Sequence, residues 1–179
     1  KNRILIVCPV KSGRQYGNRI RAHRYRGLFR ELGYRARVIH TAKHESIRAD
    51  DFDVVVALHA YRWSTAIVGI KNKLPDRPVV LVITGTDLYH YRNESACRTS
   101  LALADQIVVS QSPMVNDIPS SCRGKVHTII QSARSLAVTR PTKPRTLRIV
   151  VAGHLRPVKD PFRAAMAVRN LPPTSRIEV

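Results

Sequence analysis

The sequence predicts a doubly wound α/β sheet with a mainly parallel core, and three observations carry this. Short, almost wholly apolar runs such as Asp53–Leu58 and Pro78–Ile83 read as strands covered on both faces. Segments of helical length and texture fall between such runs. The β-α-β-α alternation holds from Arg3 to Ile130, as in a sheet with helices packed on it.

The elements follow in order. Arg3–Val10 reads as a buried strand. Asn18–Leu32 reads as a helix ended by Gly33. Tyr34–His40 alternates as a strand, and Asp53–Leu58 is nearly all apolar. Tyr61–Lys73 is helical and stops at Pro75, and Pro78–Ile83 is another apolar strand. Asn93–Ala104 reads as a helix, Gln106–Ser110 as a short strand, Pro113–Ile118 as a short helix and Val126–Ile130 as a strand. From Gln131 to Thr146, Ser, Thr, Pro, Arg and Lys dominate, with Pro141 and Pro144 stiffening a linker. Leu147–Ala152 then starts a second α/β unit, with a helix over Pro161–Leu171 and its next strand over Arg176–Val179. The predicted division is a first domain over 1–133, a linker over 134–146 and the opening of a second domain over 147–179, cut off.

Composition narrows the function. A hydrophobic content of 44% supports a real core. No run of 18 or more residues is apolar, and no signal peptide is evident, so the sequence predicts no membrane association. Cys8, Cys97 and Cys122 are far apart and odd in number, which points to thiols in a reducing, cytoplasmic setting. The net charge of +19 fits either nucleic acid or a cleft for anionic substrates. The arginines are spread along the chain, with no aromatic-interleaved basic run, zinc spacing or helix-turn-helix pattern. That favours the cleft over nucleic acid. Oligomeric state is left open.

Ligands on such sheets sit at the carboxyl ends of the strands, so the loops there are the candidates. After the first strand, Lys11, Arg14, Gly13 and Gly17 form a glycine loop with two cations, and Asn18 can cap the helix; a plain connector is the alternative. His59 ends the third strand; on the residues alone a satisfied histidine near the surface is the favoured reading, and a functional side chain is the alternative. Thr84-Gly85-Thr86-Asp87 ends the fourth, and Asp87 serves equally as a turn cap or as a ligand for a cation or hydroxyl. Gln131 and Ser132 follow the sixth, either as solvated linker residues or as lining of an interdomain cleft. In the second unit, Gly153 is followed by Arg156, Lys159 and Asp160-Pro161, a strand–glycine–cation–helix series suited to phosphate. His23, His40, His44, His90 and His127 show no ligand spacing, and no metal site is assigned.

These parts resemble the retaining GT-B glycosyltransferases of glycosyltransferase family 4. In that family the second domain grips the nucleotide-sugar diphosphate through a Gly-Arg-x-x-x-x-Lys turn. Gly153 and Lys159 match it, His154 stands where arginine is usual, and Arg156 is the candidate replacement. Gly17-Asn18, Ala57–Ala60, Thr84–Tyr89 with Ser100–Asp105, Gln131-Ser132 and the Gly-His-Leu-Arg form at 153–156 are similar to the family's selenosugar-synthase subgroup. The resemblance implies transfer of a sugar from a UDP-sugar to selenophosphate, with no metal and no cofactor. It implies diphosphate contacts from Gly153, His154, Arg156 and Lys159, and catalysis by His59, Lys159 and Arg156. It implies acceptor contacts from Lys11, Arg14, Gly17, Asn18, Thr84, Gly85, Thr86, Asp87, Gln131 and Ser132. Two alternatives stay open: another acceptor, or a non-catalytic α/β module that binds an anion or RNA.

Overall fold

The computed structural model describes residues 2–9, 17–40, 49–133, 135, 137, 146–153, 155 and 157–179. The chain forms two compact units, Lys1–Ser132 and Ala133–Val179.

The first unit is an α/β sheet of Rossmann-like type. Its strands are β1 (Arg3–Cys8), β2 (Arg35–His40), β3 (Val54–Leu58), β4 (Val79–Val82), β5 (Gln106–Val109) and β6 (Val126–Thr128). They lie in the order β2-β1-β3-β4-β5-β6, and every pairing is parallel. The direction of winding reverses between β1 and β3, the switch point of a doubly wound sheet. Helices α1 (Gly17–Glu31), α2 (Ser64–Lys73), α3 (Thr86–Tyr89), α4 (Ser95–Leu103) and α5 (Met114–Asp117) connect the strands.

The period-2 geometry of β1 divides its side chains between two cores. Ile4, Ile6 and Cys8 face α1 and pack with Ala22, Val56 and Leu58. Leu5 and Val7 face the other side and pack with Ala57, Leu81, Ile107 and residues of α2 and α4. Burial on both faces is why β3 and β4 read as unbroken apolar runs. Helix α1 ends where Gly33 takes φ 85°. Its N–H donates to the Arg30 carbonyl at 2.9 Å, and the Tyr34 N–H donates to the Phe29 carbonyl at 2.9 Å, the paired bonds of a glycine-terminated helix. That turn launches β2 at the edge of the sheet.

Helix α2 starts at Ser64 rather than Tyr61: Tyr61–Trp63 form a turn, and the Tyr61 ring stacks on Tyr91 at 4.2 Å. The short α3 was not expected. Gly85, at φ 103°, opens it.

In the second unit β7 (Leu147–Arg148) pairs in parallel with β8 (Ile177–Glu178), with α6 (Arg163–Val168) between them. The strand expected over Leu147–Ala152 is two residues long, since β8 offers only two residues to pair with. No described residue of this unit is buried. Most of the linker expected over 134–146 lies outside the described residues. Among the described residues no helix is long and apolar enough to cross a membrane.

Candidate functional site

The sheet's carboxyl edge brings together several of the expected residues. His59 leaves β3 with φ 86° while only 3% exposed. A side chain in that region costs on the order of 1–3 kcal/mol and persists only when its surroundings hold it. The holding groups are visible. The His59 N–H donates to the Val82 carbonyl at 3.0 Å, and the Arg62 N–H donates to His59 Nδ1 at 3.4 Å. Burial pushes the His59 pKa down, against the nearby Asp87 charge.

Asp87 is fully buried and turns its carboxylate inward. Oδ2 accepts the Ala60 N–H at 3.0 Å, and Oδ1 accepts the Thr84 N–H at 2.9 Å and the Thr84 hydroxyl at 3.3 Å. Ser100 Oγ donates to the Ala60 carbonyl at 2.7 Å. The Cys97 thiol donates to the Asp87 carbonyl at 3.4 Å, and burial, then the Asp87 charge, pushes that thiol up to about 11. Asp87 therefore clasps the ends of β3 and β4, and its oxygens are spent on backbone and Thr84. Thr86 is exposed at the first turn of α3.

Gln131 and Ser132 meet α1. Arg21 donates through Nη1 to the Ile83 carbonyl at 3.0 Å and through Nη2 to Gln131 Oε1 at 2.7 Å, while Arg24 Nη2 reaches Ser132 Oγ at 3.4 Å. Gly17 and Asn18 open α1. Lys11, Arg14, His154 and Arg156 lie outside the described residues. In the second unit Gly153 is exposed, and Lys159 is exposed at the end of a single 3-10 turn, Pro157–Lys159. The helix expected to begin at Pro161 starts at Arg163 and has six residues. Asp160 pairs with Arg163 instead of capping it.

A second arrangement was missed in the sequence. On α1, Arg19, His23, Arg26 and Arg30 recur at helical spacings of four, three and four, which place them on one face. Beyond Gly33, Arg35 and Arg37 alternate with buried Ala36 and are exposed on the edge strand. Arg3, Arg30, Arg35 and Arg37, with Tyr34, Ala36, Asp51 and Phe52, line one cavity of about 470 Å³. Tyr34 is 40% exposed and braced edge-on by Phe29 at 6.4 Å. Asp53 belongs to this end of the sheet. It accepts the Arg3 N–H at 2.6 Å and pairs with the Arg3 guanidinium at 3.5 Å, and the backbone bond is the largest influence holding its carboxyl below the usual range. Cations dispersed in sequence are gathered in space; the helical spacing followed by strand alternation was the available signal.

No family model matches the chain, and no curated protein matches it. Among solved structures it is similar to a response regulator protein of Thermotoga maritima in complex with Mg2+–BeF. The two are 20% identical, the match covers 62% of this chain and 88% of that one, and the TM-score is 0.43. A likeness of that grade carries no argument about activity. Nothing in these comparisons points to glycosyltransferase family 4, which overturns the resemblance drawn from the sequence. With it fall the GT-B plan, the transferase activity, the UDP-sugar donor and the selenophosphate acceptor. The physical reason is that the resemblance leaned on short turns. The diphosphate turn lies in a unit with no buried described residue and leads into a six-residue helix, and Asp87 is committed to the backbone.

Proposed function

We propose that the first unit is a non-catalytic α/β module that binds single-stranded nucleic acid along its α1–β2 edge. The observation that carries this is the cavity shared by Arg3, Arg30, Arg35, Arg37 and Tyr34. Edge strands often carry cations simply to deter pairing. Four arginines converging on one cavity beside a half-exposed aromatic ring is a different pattern, that of a groove which follows a phosphate backbone and stacks a base. Arginine suits the role because its planar fork meets phosphate through two N–H bonds and stacks on rings and bases. The cations along α1 from Arg19 to Arg30 extend the groove by about 16 Å at 1.5 Å per residue. Cys8, Cys97 and Cys122 are buried and form no disulfide, which suits a cytoplasmic setting for the module.

The test is fluorescence anisotropy with a labelled single-stranded RNA 12-mer across salt concentrations. Neutralising three to four phosphates gives a log–log salt slope of about −2 to −3, a loss of about 15- to 60-fold in affinity between 50 and 200 mM salt. A duplex of the same sequence is expected to bind more weakly, since its bases cannot reach Tyr34. No binding at 50 mM salt, or a slope near zero, overturns the proposal.

A further inference from the structure

We propose that a bound strand crosses the outer crest of α1 at Gly27, passing from Arg30 on the groove side to Arg24 on the opposite flank. The proposal rests on the nucleic-acid reading above and adds the second flank of α1 to that surface. Ala22 is buried against the sheet, and Tyr25 and Phe29 pack in the same cluster. Gly27 stands two residues from each of those rings, which turns it roughly 160° away from them at about 100° per residue. It is partly exposed, on the solvent side of the helix.

The fold makes no demand for a glycine at this position. Its φ is not positive, and a Cβ built on it would meet no heavy atom of the described residues within 4 Å. A glycine inside a helix destabilises it relative to alanine. The use that remains is to let another chain come close to the helix backbone. Helix α2 carries a similar glycine, Gly69, also with open space around it, so the glycine alone marks nothing. The neighbours distinguish Gly27. Arg24 and Arg30 stand at i−3 and i+3, the positions adjoining it on the helix surface, where Gly69 has Ala66 and Asn72. Arg30 lines the cavity with Tyr34. Arg24 reaches over the far flank, its Nη2 3.4 Å from Ser132 Oγ. The two arginines are about 9 Å apart along the axis at 1.5 Å per residue. Two guanidinium groups with a dip in the ridge between them give a phosphate backbone a low, charged crossing. Glu31, at i+4 from Gly27, is the carboxylate of α1, and its charge repels a strand that strays toward that end of the helix.

The experiment is anisotropy with the same RNA 12-mer, comparing Gly27→Gln, Gly69→Gln, Arg24→Gln and the double variant Gly27→Gln with Arg24→Gln. Glutamine is long, neutral and favourable in a helix. Gly27→Gln is expected to weaken binding about five- to tenfold at 100 mM salt and to take about 0.7 off the log–log salt slope, although it removes no charge. Gly69→Gln is expected to change affinity by less than about twofold. The double variant is expected to bind no more weakly than Gly27→Gln alone, because the strand no longer reaches Arg24. Thermal melting keeps the proposal testable if the glutamine variant misfolds. Gly27→Ala is expected to raise the midpoint by about 2–4 °C while weakening binding about twofold. A lowered midpoint there would show that the fold itself needs the glycine and overturns the proposal. Gly27→Gln binding as wild type, an equal loss in Gly69→Gln, or additive losses in the double variant overturn it too and leave the binding reading intact. No RNA binding by the wild type overturns both.

Discussion

Reversing Arg35 and Arg37 together, Arg35→Glu with Arg37→Glu, is expected to weaken binding of single-stranded RNA by about 30-fold at 100 mM salt, roughly 1 kcal/mol per reversed charge. It should also flatten the log–log salt slope by about 1.4, since on a single strand each lost phosphate contact removes about 0.7. Both side chains are exposed and alternate with the buried Ala36, so the core beneath them is unchanged. The protein carries +19 overall, and any loss of charge weakens its attraction to a polyanion. A matched control separates the local effect from the general one. Arg98→Glu with Arg169→Glu removes the same charge from exposed positions on α4 and in the second unit. That variant is expected to lose less than about threefold. Anisotropy titrations of both variants decide the matter: equal losses would mean that the ligand senses net charge and that the α1–β2 edge is no site.

The second large effect is structural. Asp87→Ala is expected to destabilise the first unit by about 3–5 kcal/mol, measured by urea unfolding. The carboxylate receives the N–H groups of Ala60 and Thr84 and the Thr84 hydroxyl, and all of these lose their partner in the variant. Buried donors left unmatched cost about 1–3 kcal/mol each before relaxation and water entry recover part. The Ala60 loop also carries His59 at φ 86°, so the clasp works together with the His59 N–H bond to the Val82 carbonyl in holding that strained turn. Asp87→Asn keeps the shape but turns an amide N–H2 toward a backbone donor, so it should recover only part of the loss. A cost below about 1 kcal/mol for the alanine variant would show that the clasp is incidental.

Much of the sheet was readable from the residues, for a physical reason. Val54–Leu58 and Val79–Val82 are covered on both faces, and such strands must be continuously apolar. Gly33 marked the end of α1 because that position needs a positive φ. What escaped depends on partners remote in sequence. Asp87 could be read as a turn cap for Thr84, but its bond to Ala60 spans 27 positions and leaves no local trace. The Tyr61–Tyr91 stack in the turn before α2 joins residues remote in sequence, which no periodicity encodes. The basic groove is a different kind of miss. Its residues obey helix and strand spacing, yet they look scattered until α1 and β2 are folded against each other. The phosphate-like turn at Gly153 failed in the opposite way, a persuasive local string whose surroundings do not build the site it suggests.

The place of β1 in the sheet also shapes how the protein folds. Its neighbour β2 follows within one helix, whereas β3, its partner on the other side, is joined to it by contacts such as Arg3–Asp53, 50 positions apart. The β1–α1–β2 segment is thus the stretch with the cheaper loop closure, and it is the segment that concentrates the arginines. Early collapse of this segment crowds like charges before the distant strands arrive to offset them with Asp51 and Asp53. Added salt screens that crowding and is expected to quicken folding, while the same salt loosens the grip on a polyanion. The two rates, refolding after dilution from urea and release of bound RNA, should both rise with ionic strength.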